Sequence, residues 1–203
     1  MRLKKILLLS WIILLSLQLH IFSENKIEHR IAVLVNEELI TSYDIVQRMK
    51  LSAIIQKIDI TTENNQLFIN DTVDDLIHEK LKIEKINEYK IKIDESEYIE
   101  FETNFFLRSG LDKNQIIKQL SNNSIPFNEL EKLLINELSW NKLINGLYFR
   151  LTSVSNQEID EIISRNPNIS DNQAKNLVIQ RQLDLQSSKM LRDMINEATI
   201  EYR

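Results

Sequence analysis

The sequence predicts a mainly α-helical protein with a small N-terminal β-hairpin that is joined by a C-terminal strand. The 203 residues include only two glycines and two prolines. Tight hairpins, phosphate-binding loops and many-stranded sandwiches depend on glycine, so these fold classes are disfavoured. Most apolar residues recur at helical spacing. Strand-like patterns are confined to residues 31–40 and 198–202.

The first 23 residues have the order of a secretory signal peptide. Arg2, Lys4 and Lys5 precede an apolar run, and the small Ser23 follows it. We predict export with removal of residues 1–23. An uncleaved membrane anchor stays open as an alternative, because the run is near the short end of the roughly 17 to 25 residues that span a bilayer. Either outcome places the remaining chain outside the cytoplasm.

The charge balance and the absence of cysteine exclude two classes of function. Removal of residues 1–23 leaves 22 basic and 30 acidic residues, a net charge of −8. A nucleic-acid binder needs a clustered basic face, and this acidic chain has none. Thiol chemistry and disulfides are also excluded, so the apolar core must supply the stability.

The N-terminal half begins with the hairpin and continues with two helices. Residues 31–35 form a β-branched apolar run, and a turn at Asn36 and Glu37 leads to a second short strand. Ser42 is predicted to cap a helix that ends near Lys57. Residues 67–89 carry apolar side chains on more than one face, which favours a central helix.

The later helices are predicted to begin at capping residues. Those residues are Asp94 with Glu97, Asp112, Pro126 in a first turn, Ser155 with Glu158, and Ser170 with Gln173. Gly110 is expected to end the helix that follows Asp94. In the short helix after Asp112, we expect Ile116, Ile117 and Leu120 to face inward. Residues 198–202 are predicted to add a strand to the hairpin.

No catalytic or metal-binding constellation is present in the sequence. The two histidines after residue 23, His29 and His78, lack metal-ligand spacing. Acidic pairs such as Asp74 with Asp75 are interpreted as solvated helix faces. No catalytic residue, cofactor or metal is therefore predicted, and apolar surfaces remain as candidate functional sites.

Five aromatic residues are the candidate binding residues. Phe101, Phe105 and Phe106 share a predicted helix, where neighbouring residues point about 100° apart, so at least one ring must lie at the edge of the core. Phe127 and Trp140 belong to the long helix that follows. Ordinary core packing is the alternative for each of them, because aromatic stripes are usually buried.

Residues 31–48, IAVLVNEELITSYDIVQR, closely resemble the start of the SurA family of periplasmic chaperones. The resemblance continues in family order through segments that begin at Leu76, Lys92, Ser124 and Val154, and through residues 191–201. It implies a multi-helix SurA-type chaperone core.

This core is expected to form one domain over residues 24–203. Residues 24–165 are its N-terminal helical part, and residues 170–203 are its C-terminal helix and strand.

The family typically carries one or two parvulin-type prolyl isomerase domains before the terminal helix. Here the corresponding interval is residues 159–170, and these twelve residues are far fewer than the roughly 50 of the smallest domains. The resemblance therefore implies chaperone function without enzymatic activity. Retained prolyl isomerase activity is the weaker alternative.

The implied function is that of an ATP-independent chaperone in the periplasm of a Gram-negative bacterium. It would bind unfolded outer-membrane protein precursors through an apolar groove and assist their folding or delivery. The outer-membrane assembly machinery is a further candidate partner, and neither nucleic acid nor stable membrane insertion after signal cleavage is expected. An envelope scaffold or adaptor that docks a folded partner is the alternative. The clients, the residues that contact them and the oligomeric state stay open.

Overall fold

The computed structural model describes residues 30–203, so the predicted signal peptide lies outside the described residues. The described chain contains three strands, seven α-helices and one 3-10 turn. In order they are β1 (Ile31–Val35), β2 (Glu38–Thr41), α1 (Ser42–Gln56), α2 (Asn65–Glu88), α3 (Glu95–Ser109), α4 (Lys113–Asn122), α5 (Phe127–Tyr148), the 3-10 turn (Phe149–Leu151), α6 (Asn156–Arg165), α7 (Asp171–Glu197) and β3 (Ile200–Tyr202). The predicted fold class is confirmed.

The three strands form one antiparallel sheet in the order β2-β1-β3. Strands β1 and β2 are the predicted hairpin. Its turn places Asn36 at φ 52°, in the left-handed region that asparagine adopts more readily than most residues. Strand β3 pairs with β1, with Val33 opposite Tyr202 and Val35 opposite Ile200. The predicted contact between the C-terminal strand and the hairpin is therefore confirmed.

Asn36 connects the hairpin turn to β3 and to α2. Its backbone N–H donates to the carbonyl oxygen of Thr199 at 2.8 Å, and its side-chain Oδ1 accepts from the Thr199 N–H at 3.0 Å. Its Nδ2 donates to Glu84 Oε2 at 2.9 Å. One asparagine side chain thus holds the turn, the start of β3 and α2 together.

We expect Asn36→Ala to lower the free energy of unfolding by about 2 kcal/mol, because it removes two side-chain hydrogen bonds and puts alanine at positive φ. Asn36→Gly loses the same bonds but adopts this conformation without strain, so it is expected to lose roughly half as much. Urea unfolding followed by circular dichroism measures both. Equal stability of Asn36→Ala and wild type would show that this turn does not anchor β3.

Helix α1 is capped by Thr41 and not, as predicted, by Ser42. The Thr41 hydroxyl accepts from the Asp44 N–H at 3.2 Å, and the Asp44 carboxylate accepts from the Thr41 N–H at 2.8 Å. This reciprocal pair needs an acid three residues after the cap, which Ser42 does not have. The predicted end at Lys57 is confirmed, where the backbone turns left-handed.

The caps predicted for α3, α4, α6 and α7 are confirmed. They are Asp94 with Glu97, Asp112, Ser155 with Glu158, and Ser170 with Gln173. Gly110 ends α3 at φ 61°, as expected. Pro126 precedes α5 as its cap residue rather than lying in its first turn.

One inward position of α4 was predicted wrongly. Ile117 is 39% exposed, whereas Ile116 and Leu120 are buried. Ile117 lies about 100° around the helix from Ile116, so it turns away from α1 and α5, against which α4 packs.

Helix α2 is central, as predicted, because it contacts α1, α5, α7, β1 and β2. The buried apolar side chains form four clusters. The first includes Leu51, Leu120 and Leu130, the second Val33, Ile40 and Leu81, the third Ile86, Leu143 and Leu183, and the fourth Ile162, Ala174 and Val178. Among the helices of residues 30–203, none is both long and apolar enough to cross a bilayer.

Candidate functional site

The four phenylalanines predicted as binding residues lie in one region, which we call the phenylalanine cluster. Phe101, Phe105 and Phe106 of α3 and Phe127 at the start of α5 all pack against the first buried cluster. Each of the four is half-buried. The rings of Phe105 and Phe106 meet edge to face, with centroids 5.2 Å apart and an interplanar angle of 77°. Part of this aromatic area therefore remains at the molecular surface.

Lys113, the first residue of α4, lies close to two members of the phenylalanine cluster. Its Nζ is 5.4 Å from the ring centroid of Phe127 and 6.0 Å from that of Phe106, within the range of cation–π attraction. Sequence reasoning missed Lys113. Its position directly after the Asp112 cap was the only available signal, and that signal concerns the helix start rather than binding.

Glu102 holds this lysine from a buried position on α3. Glu102 is only 9% exposed, and its carboxylate accepts from Lys113 Nζ at 2.5 Å and from the Tyr98 hydroxyl at 3.1 Å. Burial, reinforced by the Glu102 charge, raises the pKa of Tyr98 well above its usual value. The phenylalanine cluster is thus bordered by a paired, fixed polar group.

Trp140, the fifth predicted binding residue, packs in a different part of the core. It is 3% exposed and belongs to the third buried cluster, between α2, α5 and α7. Its Nε1 donates to Ser187 Oγ at 2.8 Å, and Lys82 Nζ lies 5.6 Å from its ring centroid. The structure therefore brings four of the five predicted residues together and places the fifth elsewhere.

A charged cavity of about 440 Å³ lies beside Trp140, between α1, α2 and α5. The Arg48 guanidinium is 2.6 Å from Glu79, which also accepts from Asn136 Nδ2 at 3.3 Å. Asp75, interpreted from the sequence as solvated, lies on the cavity wall, and partial burial raises the pKa of its carboxyl. Within the described part of the chain, no three or more histidine and acidic side chains are grouped to hold a metal ion.

A larger cleft, of about 710 Å³, lies between α5 and α7, with α3 contributing one lining residue. Its apolar floor includes the buried residues Ile144 and Leu183. Five carboxamides form much of its polar lining: Asn141, Asn145, Gln173, Asn176 and Gln180. We call this feature the α5–α7 cleft. Sequence reasoning missed it, because amides spread over two helices distant in sequence form no recognisable motif.

Comparison with known sequences links the chain to a chaperone. No protein-family model matches the sequence. Over 135 residues, which is 66% of this chain, it is 21% identical to the chaperone SurA of Saccharophagus degradans. The match spans 31% of that relative, so the chain corresponds to about a third of the curated protein.

Comparison with solved structures gives a similar fold. The fold is similar to a structure from work on two SurA-like chaperones of Campylobacter jejuni, the virulence factor PEB4 and the periplasmic protein Cj1289. The alignment covers 85% of this chain and 98% of the solved chain, with a TM-score of 0.50 and 14% identity. At this identity the likeness establishes the fold. The predicted resemblance is confirmed, and the chain is SurA-like in sequence and has the fold of SurA-like chaperones.

Proposed function

We propose that this protein is an ATP-independent holding chaperone that binds unfolded polypeptides. The observation that supports this most directly is a SurA-like fold with a partly exposed phenylalanine cluster. Unfolded chains differ in sequence, so a protein that holds many of them needs adaptable apolar contacts rather than one shaped pocket. The SurA relative and the solved structure described above are both named as chaperones, which supports the same role.

Outer-membrane protein precursors in the periplasm are the client class that we propose. Strands of such proteins alternate apolar and polar residues and carry aromatic residues near their ends, so unfolded precursors expose many apolar side chains to water. The signal-like order of residues 1–23 favours export. The description of one structural relative as periplasmic agrees with this location.

The proposed role requires binding without catalysis. Residues 159–170, where the family typically carries its isomerase domains, contain the end of α6 and the turn that leads into α7. This short connection supports a chaperone that acts through residues 24–203 as one domain.

The phenylalanine cluster is the surface on which we propose that clients bind. Aromatic rings offer large apolar areas and stack favourably with aromatic client residues. The four rings pack against the buried residues of the first cluster, so the folded core presents their exposed parts to a client. Trp140 is buried, and we propose that it supports α5 beside α7 instead of contacting clients.

Light scattering tests the proposed function. A urea-unfolded outer-membrane barrel protein is diluted into nucleotide-free buffer that contains the purified protein at increasing molar ratios. We expect scattering to fall as the ratio rises, because bound clients cannot aggregate. An unrelated folded acidic protein at the same concentrations serves as the control. Unchanged scattering, with the protein shown to be folded by circular dichroism, would contradict a holding function and favour a dedicated folded partner.

A further inference from the structure

We infer that the α5–α7 cleft binds the backbone of a client segment in an extended conformation. The inference rests on the proposed function and adds to it a second site, formed by other side chains than the phenylalanine cluster. Its volume of about 710 Å³ lies within the range of roughly 300 to 1,000 Å³ that ligand sites occupy.

The lining of the cleft matches the hydrogen-bonding needs of a polypeptide backbone. Each carboxamide offers two N–H donors and one carbonyl acceptor. An extended segment likewise presents N–H and C=O groups along both of its edges. The five carboxamides are accompanied by one cation, Arg108, and one anion, Asp184, so the lining carries no net charge. The lining can therefore form hydrogen bonds with the backbone of a client of any sequence.

The polar side chains of α7 extend over the length of a short strand. They recur every three or four residues and so share one face of the helix. They are Gln173, Asn176, Gln180, Asp184 and Ser187. A rise of 1.5 Å per residue separates the first and last of them by about 21 Å along the helix. About six residues of extended chain, at roughly 3.3 Å each, cover the same distance.

The amides retain hydrogen-bonding capacity within the fold. Gln180 Nε2 donates to Asp184 Oδ1 at 2.8 Å, and Asn145 Nδ2 donates to the Asn141 carbonyl oxygen at 2.8 Å. Each bond uses only one of the two N–H groups of its amide. These contacts orient the side chains and leave further donors for a bound backbone.

The cleft also offers apolar contact for client side chains. Leu177 is 48% exposed among the carboxamides of α7, and Ile144 and Leu183 lie beneath. Successive side chains of an extended segment point to opposite faces. Side chains on one face of the client segment would contact these residues, while the backbone groups along its edges bond to the amides. A barrel strand, in which apolar and polar residues alternate, has side chains suited to this arrangement.

A pair of peptides tests whether the cleft binds a backbone. The first is a labelled peptide of about ten residues in which aromatic residues alternate with serine, the pattern of a barrel strand. The second has the same side chains but carries N-methyl groups on alternate backbone nitrogens. Fluorescence anisotropy with the purified protein gives each Kd. We expect the methylated peptide to bind about tenfold more weakly, because its methylated nitrogens cannot donate.

Substitutions on α7 locate this effect. Asn176→Ala combined with Gln180→Ala is expected to weaken binding of the unmethylated peptide by about tenfold and to abolish most of the difference between the two peptides. Asn172→Ala combined with Gln186→Ala is the matched control, on the same helix but outside the cleft. The control should leave both affinities unchanged. Alanine favours helices, so both variants should retain the wild-type circular dichroism.

Each outcome decides between two claims. If the wild type binds both peptides equally, or if the cleft variant behaves like its control, the cleft inference is wrong and the proposed function stands. If the wild type binds neither peptide but still suppresses scattering, the cleft inference is wrong and the proposed function stands, whereas failure in both assays overturns both. The cleft variant could instead lose self-association without a change in peptide affinity. That result would mean that a second copy of the chain occupies the cleft, and it would also overturn the inference.

Discussion

Trp140→Ala is expected to lower the free energy of unfolding by about 4 kcal/mol, as large buried aromatics do when truncated. The indole is 3% exposed and packs where α2, α5 and α7 meet, so truncation would leave a cavity between three helices. It would also remove the hydrogen bond that Nε1 donates to Ser187 Oγ at 2.8 Å. Urea unfolding followed by circular dichroism measures the change.

Two variants separate packing from hydrogen bonding at this site. Trp140→Phe keeps much of the apolar volume and should cost roughly 1 to 2 kcal/mol, while Ser187→Ala removes only the acceptor and should cost about 1 kcal/mol. A loss below about 1 kcal/mol for Trp140→Ala would be typical of a surface position. Such a result would contradict a core role and would favour Trp140 as a client contact.

The double variant Phe106→Ala with Phe127→Ala is expected to weaken client binding by about thirtyfold, because a few aromatic anchors usually dominate the binding free energy of an interface. Both rings are half-buried and both lie near Lys113 Nζ. Their removal would reduce the exposed aromatic area while the buried leucines beneath remain. The scattering assay reports the effect as the molar ratio that halves aggregation of the unfolded barrel protein.

Phe149→Ala is the matched control for this loss. Phe149 is 53% exposed in the 3-10 turn, outside the phenylalanine cluster. We expect it to retain the wild-type activity. A second variant, Phe106→Leu with Phe127→Leu, preserves most of the apolar volume. It is therefore expected to fold even if the alanine double variant does not. Full activity of a folded alanine double variant would show that clients bind elsewhere. Equal losses of activity in the double variant and in Phe149→Ala would favour client binding to apolar surface in general rather than to the phenylalanine cluster.

The secondary structure could be predicted because its signals are local. A capping box needs only two residues three positions apart, and Ser155 with Glu158 shows this directly. The error at Thr41 and Ser42 has the same origin. Two hydroxyl residues are adjacent, and the choice between them depends on Asp44, which lies three positions after the first and two after the second.

The binding surfaces were harder to predict because they depend on contacts between distant segments. Helical spacing groups Phe101, Phe105 and Phe106 but does not tell which neighbouring helix covers each ring. Trp140 lies beside the apolar stripe of α5, and it is buried because Ser187 and its helix, 47 residues later, pack over it. The α5–α7 cleft likewise exists only once both helices are in place.

The sheet sets an order for the folding of this chain. The β1–β2 hairpin is local, whereas β1 receives its second neighbour from residues that follow it by well over a hundred positions, with Asn36 and Thr199 separated by 163. Pairing across such a separation is slow compared with helix formation. During synthesis, one edge of β1 therefore stays open until residues 200–202 of β3 are made. A chain that is cut before residue 198 would keep this edge of β1 exposed, and open strand edges template aggregation, so the hairpin is vulnerable to misassembly until β3 is made.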